Sequence, residues 1–206
     1  MNEGFEPVVS GPGLVRKFFR AWQRDSHMGL LARLRKVIAV IVELRTARRM
    51  LRACTRVDAG ARVRGRVILS NRGSMHIGKD FTVHGYFLPV EMNTGPHAKI
   101  TIGVGVYVNF GTVISAMEAI TIGDFVRIGQ HSIIADSEWM GDVTHPGDVS
   151  PIEIGNRVWL AARVTLRPGV RIGDGSVVMS GSIVESDITA GVIAGGIPAR
   201  VIRPLG

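Results

Sequence analysis

Residues 152–185 read IEIGNRVWLAARVTLRPGVRIGDGSVVMSGSIVE. Stepping by six from Ile154 lands on Leu160, Leu166, Ile172, Val178 and Val184, each a bulky aliphatic. Two residues before each marker stand Ile152, Val158, Val164, Val170, Ser176 and Ser182. Gly155, Ala161 and Gly173 follow their markers. A helix would recur near 3.6 and a plain strand would alternate without a hexad. A six-residue period predicts a parallel β-helix, in which each hexad is a short strand plus a corner. Three hexads close one coil, and the next coil stacks about 4.8 Å away through parallel ladder hydrogen bonds. Ile154 is then expected under Ile172, Leu160 under Val178, and Leu166 under Val184, filling the prism with aliphatic ladders.

The hexads begin upstream at Val57, Val63 and Leu69, and continue through Ile77 and Val83. Through Gly85–Lys99 the register blurs, and the segment EMNTGPHAK reads as an inserted loop. Ile102, Val108, Ile114, Ile122, Ile128 and Ile134 restore the pattern. The longest excursion, Asp136 to Pro151, follows, and about six coils are expected in all. The tail from Asp187 leaves the hexads and reads as a loop with a short strand folding back. The expected organisation is an N-terminal extension over 1–56, an all-β helix domain over 57–186, and a tail over 187–206.

Composition agrees with this reading. The 206 residues are 46% hydrophobic with 6% aromatic, which suits Ile and Val ladders, and 26 glycines suit many corners. Cys54 is the only cysteine, so no internal disulfide is open to the chain, and buried packing is its expected role. No run approaches the roughly 18 apolar residues of a membrane span, and the start lacks the pattern of a secretory signal. These features point to the cytoplasm.

The net charge of +8 is concentrated in one segment. Residues 14–52 hold eleven Lys or Arg against Asp25 and Glu43. After a flexible leader, Leu14 to Arg52 reads as helix with a break near Ser26–Gly29. Leu14, Val15, Phe18, Phe19 and Trp22 form one apolar side, and Leu30, Leu34, Val37, Ile41 and Leu44 a second. Three roles are open to this basic arm. It packs on the β-helix or a partner subunit, it lies on an anionic membrane, or it binds nucleic acid. Aromatics beside the basic residues favour membrane over nucleic acid, and no nucleic-acid fold signature accompanies the charge.

Three stretches carry a family resemblance: IEIGNRVWLAARVTLRPGVRIGDGSVV at 152–178, GSIVESDI at 181–188 and VIAGGIPARVI at 192–202. With the upstream hexads, roughly residues 57–203 resemble the hexapeptide-repeat acyltransferases. The likeness is strongest to sugar and polysaccharide O-acetyltransferases of the maltose and galactoside acetyltransferase type. The resemblance implies a left-handed β-helix, a homotrimer with sites between subunits, and acetyl-CoA as co-substrate. It also implies transfer of the acetyl group to a hydroxyl of a sugar or glycan precursor, without a metal. A histidine takes the hydroxyl proton as the oxygen attacks the thioester, a task suited to a pKa near working pH.

The resemblance also assigns residues. Related enzymes carry Asp-Ser-Asp-Trp-His where this chain has Asp136-Ser137-Glu138-Trp139-Met140, so Met140 holds the usual histidine position. Thr144-His145-Pro146-Gly147-Asp148 resembles the Thr-His-Pro-Leu-Asp run that bears the catalytic histidine in maltose-type enzymes. His145 is therefore the candidate base on a longer loop, with an ordinary loop histidine as the alternative. Asp136 and Glu138 either orient the imidazole or serve loop hydrogen bonding. Trp139 belongs with the acceptor. Asn109 matches the family's acceptor-side Asn, or is plain corner chemistry. Trp159, Ala161, Ser180 and Gly181 match the segments lining the pantetheine arm. Arg200 matches the basic residue that faces the CoA phosphates, or is a solvated surface charge.

Two rivals are weighed. The γ-class carbonic anhydrases share the fold and pair two histidines five apart. Here His76 and His84 are eight apart and His131 and His145 fourteen, so a catalytic metal is not expected. The other is a degenerate scaffold that binds CoA or a protein partner without turnover, a reading suggested by Met140.

Overall fold

The computed structural model describes residues 29–138 and 147–206. Two units are distinguished, one ending at Val42 and one running from Glu43 to Gly206. The expected helix is present as α1 (Leu30–Met50), which starts just after Gly29 and carries Arg48 and Arg49 in its last turn. Cations there oppose the partial negative charge of the helix C-terminus. Leu31, Ile38, Val40, Ile41 and Val42 of α1 are exposed. Its C-terminal part belongs to the second unit, where Ala47 and the following Leu51 are fully buried. The expected helical segment before Ser26 lies outside the described residues.

From Arg56 onward the second unit is an all-β, left-handed parallel β-helix of about six turns. Its first face stacks Arg56–Val57, Ser74–Ile77, Lys99–Ile102, Ala119–Ile122, Ile152–Ile154 and Arg171–Ile172. Two long strands, Arg62–Asn71 and Thr82–Thr94, turn a corner and contribute to both other faces. The second face continues with Tyr107–Asn109, Arg127–Ile128, Trp159–Leu160, Val177–Val178 and Val192–Gly196. The third holds Val113–Ala116, Ile133–Ala135, Thr165–Leu166 and Ile183–Val184.

The hexad markers are the inward ladders. On the first face Val57, Ile77, Ile102, Ile122, Ile154 and Ile172 are successive register partners. Leu160 pairs with Val178 and Leu166 with Val184, as the period predicts. From Ile77 onward these first-face markers are 1–2% exposed. Full burial of such a side chain is worth about 1.5–3 kcal/mol, so the ladders dominate the stability of the coil stack.

Two expectations are corrected. Glu91–Thr94 of the supposed inserted loop is strand, and Met92 is fully buried opposite Ile114. The irregularity lies earlier, where Tyr86–Pro89 stand opposite the single residue Arg66. Those extra residues push Met92 to nine places after Val83 and hide the hexad. The tail holds two strands rather than one. Val192–Gly196 prolongs the second face, and Ala199–Pro204 returns antiparallel to it.

Candidate active site

One lane of residues runs along the corner between the second and third faces. Each sits immediately after an inward marker. His84 is the register partner of Asn109. The same registers carry the lane on through Gly129, Ala161 and Met179. Gly195 closes it, since a Cβ there would meet Met179 Cβ at 3.0 Å. At about 4.8 Å per coil, the lane from Asn109 to Gly195 is about 19 Å long.

The middle of the lane is built from small residues. A Cβ at Gly129 would lie 2.5 Å from the Ala161 carbonyl carbon, so the backbones approach closely there. Buried hydroxyls fix this backbone from inside. Thr112 Oγ1 donates to Gly129 O, Ser132 Oγ to Ala161 O and Ser182 Oγ to Met179 O, at 2.7–3.3 Å. Gly181 turns the next corner at φ 75°, a conformation that glycine adopts without the Cβ penalty. Beside the lane, Trp159 is 53% exposed, and Ser180 is exposed. Arg200 lies opposite Gly195 in the antiparallel pair, exposed, at the far end. The structure thus brings Asn109, Trp159, Ala161, Ser180, Gly181 and Arg200 onto one edge of the prism. A hydroxyl-braced lane of small residues, with an exposed indole beside it and a guanidinium at its end, suits an extended arm ending in phosphates, the shape and charge of acetyl-CoA.

Asn109 is held by its own surroundings. Its Oδ1 accepts from Phe110 N at 2.9 Å, and its Nδ2 donates to Gln130 Oε1 at 3.5 Å. Phe87, Phe110 and His131 form an edge-to-face column beside it, with centroids 5.2 and 5.4 Å apart.

The expected base His145 and the expected acceptor residue Trp139 lie outside the described residues. Asp136 is fully buried, and its two oxygens accept from Met117 N at 2.6 Å and Glu118 N at 2.9 Å. Burial raises its pKa, while those N–H groups pull the other way. Glu138 is paired with Arg167. Both carboxylates therefore have local partners of their own.

Sequence reasoning passed over a polar cluster at the N-terminal end of the lane, Glu43, Arg64, His84 and Tyr107. Arg64, His84 and Tyr107 are 20 and 23 residues apart, roughly one coil each. Coil-length spacing of polar residues was the available signal. Among the described residues, no group of three His, Cys, Asp or Glu gathers as a metal site. None of the described helices is long and apolar enough to cross a membrane.

The comparisons with known proteins give the class to which this coil-stacked β-helix belongs. The family described as "Bacterial transferase hexapeptide (six repeats)" matches residues 151–186. Galactoside O-acetyltransferase of Escherichia coli is 39% identical over 127 residues, covering 57% of this chain and 59% of that protein. The chain thus spans about three-fifths of that relative. The Escherichia coli protein named "Putative lipopolysaccharide biosynthesis O-acetyl transferase WbbJ" is 30% identical over 148 residues, covering 66% of this chain and 74% of that one. The crystal structure of the N-acyltransferase AntD from Bacillus cereus, in complex with dTDP and 3-hydroxybutyryl-CoA, superposes with a TM-score of 0.64. It is 20% identical and covers 75% of this chain and 85% of that one. The chain belongs to the hexapeptide-repeat transferase family.

Proposed function

We propose that this protein transfers an acetyl group from acetyl-CoA to a hydroxyl of a sugar or glycan precursor. The observation that carries the reading is the lane from Asn109 through Gly129 and Ala161 to Gly195, with Arg200 at its end. The sugar O-acetyltransferases among the relatives support the acceptor class. Acetyl-CoA supplies an activated acetyl carbonyl. Trp159, Ala161, Ser180 and Gly181 hold the arm, and Arg200 faces its phosphates. Asn109 and Trp139 receive the acceptor. His145 takes the proton from the acceptor hydroxyl, and Asp136 and Glu138 shape the loop that carries it. The working assembly is a homotrimer on the cytoplasmic side, with the basic arm over residues 14–52 touching the inner membrane surface.

The test is free-thiol release from acetyl-CoA against a panel of glycans, run beside a CoA-binding titration. His145→Ala should lower turnover about 10²- to 10⁴-fold, the usual worth of a positioned general base. CoA affinity should stay unchanged, because the imidazole faces the acceptor. Binding without thiol release across the panel would instead favour the non-catalytic scaffold. Activity that emerges only in Met140→His would mean that the wild-type site is degenerate.

A further inference from the structure

The cluster at the N-terminal end of the lane is a connected chain. Glu43 Oε1 accepts from Arg64 Nε at 2.6 Å. Arg64 Nη1 lies 3.5 Å from His84 Nε2, and His84 Nδ1 lies 2.8 Å from the Tyr107 hydroxyl. The His84 and Tyr107 rings meet edge-on with centroids 4.9 Å apart. Tyr86 is the other titratable ring facing His84, at 6.1 Å.

Donor and acceptor roles follow from chemistry. A guanidinium only donates, so His84 Nε2 must accept. A neutral imidazole with its lone pair on Nε2 carries its proton on Nδ1. Nδ1–H then donates to the Tyr107 oxygen. That oxygen, already accepting, turns its own hydrogen away from the ring. Burial and the Arg64 charge hold His84 below the ordinary histidine pKa, against a smaller opposing pull from Glu43. The imidazole is therefore neutral at neutral pH. Tyr107 and Asn109 flank the buried Val108 on one strand, so both face outward on the same side. Because both nitrogens of His84 are engaged, it is not arranged to take a proton from the acceptor.

We propose that Glu43, Arg64 and His84 form a positioning relay that aims the Tyr107 hydroxyl as a hydrogen-bond donor to an oxygen of the acceptor sugar. The identity of the ligand rests on the acetyltransferase reading above. The direction of the relay does not.

Steady-state kinetics on the full-length protein test it. Tyr107→Phe should raise the acceptor KM about 3- to 10-fold, the range one net hydrogen bond supports, and leave the acetyl-CoA KM unchanged. His84→Leu should reproduce that shift. His84→Gln should restore it, because an amide both accepts from Arg64 and donates to Tyr107. The double variant His84→Leu/Tyr107→Phe should be no worse than either single one. A His84→Leu variant that only melts earlier, with acceptor KM unmoved, would reduce the cluster to a structural contact and overturn the proposal. Additive effects in the double variant would overturn it too. Nitrogen-15 NMR of the His84 imidazole gives a readout independent of turnover. An Nδ1–H tautomer supports the relay even if no sugar is acetylated, and an Nε2–H tautomer refutes it whatever the activity.

Discussion

Asp136 shows how far a residue's surroundings can decide its job. Its two carboxylate oxygens each take one backbone N–H, from Met117 and Glu118, where two extra residues disturb the hexad. Asn could keep only one of those bonds and would set an NH₂ against the other donor. Asp136→Asn is therefore expected to cost about 1–3 kcal/mol, read as a lower urea midpoint at constant m. His84 adds a pH dependence of the opposite origin. Its pKa in the folded protein lies below the ordinary histidine value of 6.5, so the unfolded chain binds the proton more readily. Its stabilising contribution is complete above that ordinary value and is lost as pH falls through the folded value. His84→Gln should flatten the acid limb of a melting-temperature profile below about pH 6.5. An unchanged limb would show that other groups set it.

At the level of elements, the inward ladders were legible because buried aliphatics repeat every six residues whatever the corners contain. What sequence could not show was where a corner had grown. Tyr86–Pro89 break the count, so the strand Glu91–Thr94 looked like a loop although Met92 is core. The Arg64–His84–Tyr107 relay was hidden for a related reason. Its members meet only because a coil returns the chain to the same place after about twenty residues. Asn109, Trp159, Ala161, Ser180, Gly181 and Arg200 were named through motif resemblance, and the register explains why they share one edge. Helix α1 was legible as helix, and its exposed residues carry their own expectation. Leu31, Ile38, Ile41 and Val42 are exposed ahead of exposed Arg45, Arg48 and Arg49. A helix of this composition should bind anionic vesicles, with each basic residue near the membrane worth about 1 kcal/mol. Co-sedimentation should weaken as salt rises, because screening sets in over about 10 Å at 0.1 M. Full-length protein and a truncation lacking residues 1–42 that sediment equally would remove residues 14–42 as an anchor.

For the whole molecule, the third face carries the expectation of a trimer. One outward ladder of this face runs Ile68, Glu91, Val113, Ile133, Thr165 and Ile183, with Glu91 its only charged member. A flat of β-branched side chains around a β-helix favours a partner of like shape, and three prisms can close a ring by pairing such flats on neighbouring faces. The lane runs along the corner where the second face meets this third one. A neighbouring prism docked there would wall the lane and complete the acceptor side, so assembly and catalysis are expected to be lost together. Light scattering of the wild type should give three times the chain mass at micromolar concentration. Ile133→Arg places a charge in the middle of the flat and should shift the protein toward monomer. Circular dichroism should be retained, because Ile133 points away from the core ladder that holds Ile134. Thiol release should fall with the trimer fraction across a dilution series. A wild-type monomer that turns over at full rate would show that one chain builds the whole site, and the lane would then need only residues of its own prism.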